Sequence, residues 1–143
     1  MSLENTKKWF EQAIPSPTIE HACIQIGCHL EEVAEMMAVT GDEGLMCDLE
    51  EISIYYKRCH SNFVNSIDIT EENDKQELLD SLADQIVTAV GVAHMMGFDI
   101  LGALEEVNRS NFSKFEDGKP VFDANGKITK GKNYVKPNLE RFV

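Results

Sequence analysis

A chain of 143 residues with 43% hydrophobic side chains is long enough for one domain with a real core. Its formal net charge of −12, from 25 acidic against 13 basic residues, repels a polyphosphate backbone and argues against a nucleic acid polymer as partner. No run of 18 apolar residues occurs, and the opening MSLENTKKWFEQAIPSP lacks the apolar stretch of a signal peptide. The expectation is therefore a single domain over 1–143, cytoplasmic and without a membrane partner.

Taken in order, residues 3–12 predict a short helix carrying Trp9 and Phe10, closed by Pro15 and Pro17. A long helix follows from about 17 to 39, with Ser16 as N-cap, Pro17 at the first helical position and Gly41 as the stop. A third runs through DEGLMCDLEEISIYYKRCHSNF, where Leu45, Leu49, Ile52 and Tyr56 recur at helical spacing, and it ends in the polar stretch NSIDIT. Thr70 is placed to cap the fourth, TEENDKQELLDSLADQIVTAVGVAHMMG, which is apolar over so much of its circumference that it needs partners on more than one side. A fifth, DILGALEEVNRSNF, has Asp99 as its cap, and the Asn125-Gly126 pair beyond it predicts a hairpin with a two-residue loop. The fold class is all-α: an antiparallel bundle of about five helices with a short C-terminal β-hairpin tail. The cysteines, Cys23, Cys28, Cys47 and Cys59, form no C-x-x-C pair, so they are expected as reduced packing residues, as is His94.

Two sets of carboxylates stand out within these helices. At 100° per residue Glu31, Glu32 and Glu35 share an arc of about 100°, and Glu77, Asp80 and Asp84 share one of about 60°. Acids at helical spacing are most often a solvated face or the partners of a Lys one turn away. Here no Lys or Arg lies within four residues of either set except Lys75, and both sets sit among core-type residues. Unpaired carboxylates at close range call for hard divalent cations. None of His21, His29, His60 or His94 has a Glu three residues before it, as a di-iron bundle would require, which turns the expectation to magnesium or manganese.

These motifs resemble the all-α nucleoside triphosphate pyrophosphohydrolases, the MazG-like and phosphoribosyl-ATP pyrophosphohydrolase-like group. EEVAE, Glu31 to Glu35, matches the E-E-x-x-E motif of that group, and ELLDSLADQIVTAVG stands where its second acidic helix lies. Ser81 occupies the place of the family Glu three before Asp84, so the acid pair is Asp80 with Asp84, or in the other register Glu77 with Asp80. The segment NRSNFSKFEDGKPVFDANGKITKGKNY resembles the tail of the phosphoribosyl-ATP pyrophosphohydrolase-like subgroup, and the likeness extends from about residue 20 onward.

The resemblance implies cleavage of a nucleoside triphosphate between its α and β phosphates, giving the monophosphate and pyrophosphate, in the service of nucleotide-pool sanitation. It implies Glu32, Glu35, Asp80 and Asp84 as ligands of Mg2+ (or Mn2+) and Glu31 as general base. Asn111 and Lys114 would reach the substrate, and Lys132 and Tyr134, with Lys130, would close over it from the tail. A homodimer or homotetramer is implied as well. Two other functions stay open: a non-catalytic helical dimerisation or adaptor module, and a phosphoribosyl-ATP pyrophosphohydrolase of histidine synthesis.

Overall fold

A computed structural model describes residues 2–65, 67 and 69–143. The described residues are mostly helical, 66%, and form six α-helices and a small two-stranded antiparallel sheet. In chain order these are α1 (Ser2–Ala13), α2 (Ile19–Thr40), α3 (Glu43–Lys57), α4 (Ser61–Val64), α5 (Glu72–Met95) and α6 (Ile100–Phe112), then β1 (Val121–Phe122) and β2 (Ile128–Thr129). A 3-10 turn, Glu140–Phe142, follows. No single helix among the described residues is long and apolar enough to cross a membrane. The elements gather into two compact units, one of Met1–Pro15, Ile69–Val121 and Thr129–Val143, the other of Ser16–Asp68 and Phe122–Ile128.

In the first unit α1 lies on α6. Trp9 is buried, stacks on Phe115 at 5.7 Å between ring centroids and donates from Nε1 to the Asn111 carbonyl at 2.9 Å. Asn108, also buried, accepts from Thr6 Oγ1 and donates to the Ser2 carbonyl. Asp99 caps α6 as expected, accepting from the Gly102 amide at 3.0 Å. The chain beyond the sheet returns to α6: Glu106 receives a two-pronged bond from Arg109 and the Asn138 amide, while Arg109 also donates to the Lys136 carbonyl. The apolar breadth foreseen for α5 is left largely uncovered within its unit, with Leu79 69%, Val87 66% and Met95 82% exposed.

The second unit is built on an αα-hairpin of α2 and α3. Gly41, at φ +91°, ends α2 in the left-handed conformation that Gly tolerates, with the Asp42 amide bonding the Met37 carbonyl; Asp42 then caps α3. Where the helices cross, a Cβ on Gly27 would lie 2.8 Å from Ser53 O, Lys57 N and Lys57 Cγ, and the buried Ser53 hydroxyl donates to the Gly27 carbonyl at 2.8 Å. The hairpin tip, residues 122–128, packs on α2 through Gly126, whose Cα faces the end of Ile24.

Four expectations about boundaries are corrected. The N-cap of α2 is Thr18 rather than Ser16, because the Thr18 hydroxyl and the His21 ring close a reciprocal box that Ser16 is too early to make. The third helix breaks after Lys57: Cys59 adopts φ +50°, and the amides of Cys59 and His60 bond the carbonyls of Tyr56 and Tyr55 in the usual left-handed helix ending, so Ser61–Val64 is a separate turn. Glu71, not Thr70, stands at the N-cap of α5, with no side-chain bond. The hairpin loop has three residues, since the Asp123 amide pairs with the Lys127 carbonyl and Gly126 takes φ +81°. Ser66 and Asp68, within the polar stretch after the third helix, lie outside the described residues.

Candidate functional site

The acids of α2 fall within one turn and a half of a continuous helix. Glu32 and Glu35 are exposed, whereas Glu31 is half-buried and both its carboxylate oxygens are engaged. Lys57 Nζ from the end of α3 bonds Oε1 at 2.7 Å, and Lys127 Nζ from the hairpin tip bonds Oε2 at 2.7 Å. Burial pushes the Glu31 carboxyl up, but the two lysine hydrogen bonds outweigh it and leave the group below its ordinary value. Burial likewise works to lower Lys127, and the bond to Glu31 more than restores it. The nearby Cys28 thiol is raised, chiefly by burial. The ionised carboxylate is thus a weaker base than a free glutamate while both lysines hold it.

Lys57 and Lys127 are the residues that sequence reasoning missed. They lie 26 and 96 positions from Glu31, beyond the four-residue window in which a helix pairs its own charges. The expectation that no cation pairs with the first acid set is therefore corrected at Glu31. Gly27 one turn earlier was the available signal, since a glycine inside a strong helix marks a close neighbour whose side chains reach the next turn.

Asp80 and Asp84 sit one turn apart on α5 in the other unit, both exposed. Glu77, the alternative member of that pair, accepts from Asn73 at 2.8 Å. Carboxylate oxygens without histidine or thiolate are the donor type that suits Mg2+ or Mn2+. Among the described residues, however, no three His, Cys, Asp or Glu side chains gather closely enough to hold a metal ion. The donors fit a hard cation in kind and are present as pairs.

Asn111 and Lys114 stand at the C-terminal end of α6 in the first unit, and the chain that carries Lys132 and Tyr134 returns there, the Val135 amide bonding Ser113 Oγ at 2.8 Å. Lys114 Nζ lies 5.8 Å from the centre of the Trp9 ring, and its carbonyl accepts from the Gly131 amide at 3.0 Å. The Lys132 amide donates to Glu116, and the Tyr134 ring receives the Lys130 ammonium at 4.9 Å. Asn111 uses its carbonyl for Trp9, so its backbone is structural. Of the residues expected to pack, Cys23 is buried, while Cys47 and His94 are exposed.

No protein-family model matches the chain, no curated protein matches it, and no solved structure matches it.

Proposed function

We propose that the protein is a nucleoside triphosphate pyrophosphohydrolase of the all-α, MazG-like and phosphoribosyl-ATP pyrophosphohydrolase-like kind, acting in nucleotide-pool sanitation. The observation that carries this is the placement of Glu31, Glu32 and Glu35 on one unbroken helix, with Asp80 and Asp84 one turn apart on a second long helix. Glu32, Glu35, Asp80 and Asp84 are the residues that would hold Mg2+ or Mn2+, which when bound neutralises phosphate oxygens and acidifies a water. Glu31 would act as general base, its carboxylate accepting a proton from the attacking water once a lysine leaves it. Asn111 and Lys114, at the end of α6, reach the nucleotide, and Lys132 and Tyr134 close over it from the tail. A homodimer or homotetramer belongs to the proposal, with a second copy covering the apolar face of α5.

The same exposed face favours a second reading, a non-catalytic helical interaction module. Pyrophosphate release from a panel of canonical, deoxy and oxidised nucleoside triphosphates, with magnesium or manganese, separates the two. Metal-dependent release that leaves the monophosphate and vanishes in Glu35→Gln and Asp84→Asn supports the enzyme. No release from any nucleotide, with both variants as stable as the parent in magnesium, leaves the interaction module as the better account.

A further inference from the structure

The second unit carries most of its charge as carboxylates, and its lysines and arginines are only Lys57, Arg58 and Lys127. All three line one cleft of about 230 Å³, completed by Ile54, Asp123 and Asn125. Scattered surface charge does not concentrate in this way. One oxygen of Asp123, Oδ1, is committed to the turn, accepting from the backbone amides of Asn125 and Lys127 at 2.8 and 3.0 Å. Glu31 offers one negative charge to two ammonium groups. Arg58 is exposed and makes no ion pair among the described residues. Three cationic side chains thus converge on the cleft, and the Arg58 guanidinium among them has no carboxylate partner among the described residues.

We propose that this cleft binds a polyphosphate group, with the Arg58 guanidinium and the Lys57 and Lys127 ammoniums as its donors and the Asn125 amide at the rim. Arg presents a planar fork suited to two phosphate oxygens, and Lys supplies compact charge that swings between partners. The volume falls below the roughly 300–1,000 Å³ typical of sites for larger ligands, which suits pyrophosphate rather than a whole nucleoside. An incoming anion draws Lys57 and Lys127 from Glu31 and leaves that carboxylate open. The assignment deepens the pyrophosphohydrolase proposal by naming what takes the terminal phosphates, and it rests on that proposal for its biological meaning.

Binding is measured without turnover, by calorimetric titration of the whole chain with inorganic pyrophosphate and, separately, orthophosphate, in chelator. The parent is expected to bind pyrophosphate more tightly than orthophosphate. Arg58→Met and Lys127→Met should each weaken pyrophosphate about tenfold or more, and Lys7→Met, whose lysine pairs with Glu11 on α1, should not. Arg58→Met removes no ion pair, so its fold is kept and its result stands if Lys127→Met proves unstable. Absence of binding in the folded parent, or equal weakening in all three variants, overturns the cleft. If both cleft variants bind as the parent does while nucleotides are still hydrolysed, the cleft alone fails. If pyrophosphate binds as described and no nucleotide is hydrolysed, the enzyme proposal alone fails.

Discussion

Replacing Gly27 by Ala tests the packing that brings Lys57 to Glu31. In an isolated helix the change stabilises by about 1 kcal/mol, because alanine restricts the unfolded chain. Here the added carbon would sit 2.8 Å from Ser53 O and Lys57 N, both backbone atoms of α3 that cannot swing aside. The helices must part, at a cost of about 1–3 kcal/mol for overpacking. The Ser53 hydroxyl, buried at 1% exposure and bonded to the Gly27 carbonyl at 2.8 Å, loses its acceptor for about another 1–3 kcal/mol. The expected net loss is about 1–5 kcal/mol by urea unfolding followed by circular dichroism. Gly91→Ala on α5, where nothing lies within 4 Å of the new carbon, should instead gain up to about 1 kcal/mol. A Gly27→Ala variant as stable as Gly91→Ala would refute the close crossing of α2 and α3.

Three further outcomes follow from particular contacts. Asn108→Ala removes two hydrogen bonds and leaves the Thr6 hydroxyl and the Ser2 carbonyl with only the 3.1 Å bond between them; a loss of about 1–3 kcal/mol is expected, with a shift in Trp9 fluorescence as α1 loosens. Glu106, held by Arg109 and then by the Asn138 amide, has its pKa lowered from 4.5 to about 2. Because the folded value is the lower one, its contribution is full above the ordinary carboxylate range, declines as pH falls from 4.5 and is gone below about 2; an NMR titration of its carboxyl checks both limits. Under native conditions a thiol reagent followed by mass spectrometry should label the exposed Cys47 first and the buried Cys23 last, burial also raising the Cys23 thiol. Labelling of Cys23 at the rate of Cys47 would contradict the α2 core.

Local chemistry was legible where one residue type decides the backbone. Gly41 ends α2, Asp99 caps α6 and Asn125-Gly126 turns the hairpin, because each follows from φ or from an oxygen three residues from an amide. The end of α3 was hidden because Cys59 takes a left-handed position that sequence patterns reserve for Gly or Asn. Helical periodicity put Glu31, Glu32 and Glu35 on one stretch of α2. It could not reveal that Lys57 and Lys127 hold Glu31, since those pairings arise from the crossing of two helices and the return of a distant hairpin tip. Apolar breadth on α5 was legible from the sequence, and the described residues of its own unit leave that face largely exposed.

The discontinuity of the first unit bears on how the chain folds as it is made. The α2–α3 hairpin joins neighbours in sequence and can close as soon as Lys57 has emerged. Helix α1, synthesised before it, has its partners on α6, with Thr6 and Asn108 separated by 102 positions. At about 5–20 residues per second, α1 waits on the order of 5–20 s with the Trp9 face uncovered. During that interval Trp9 and Phe10 are open to chaperones or to other nascent chains, and the α2–α3 hairpin takes shape before the second half of the Trp9 core has been made.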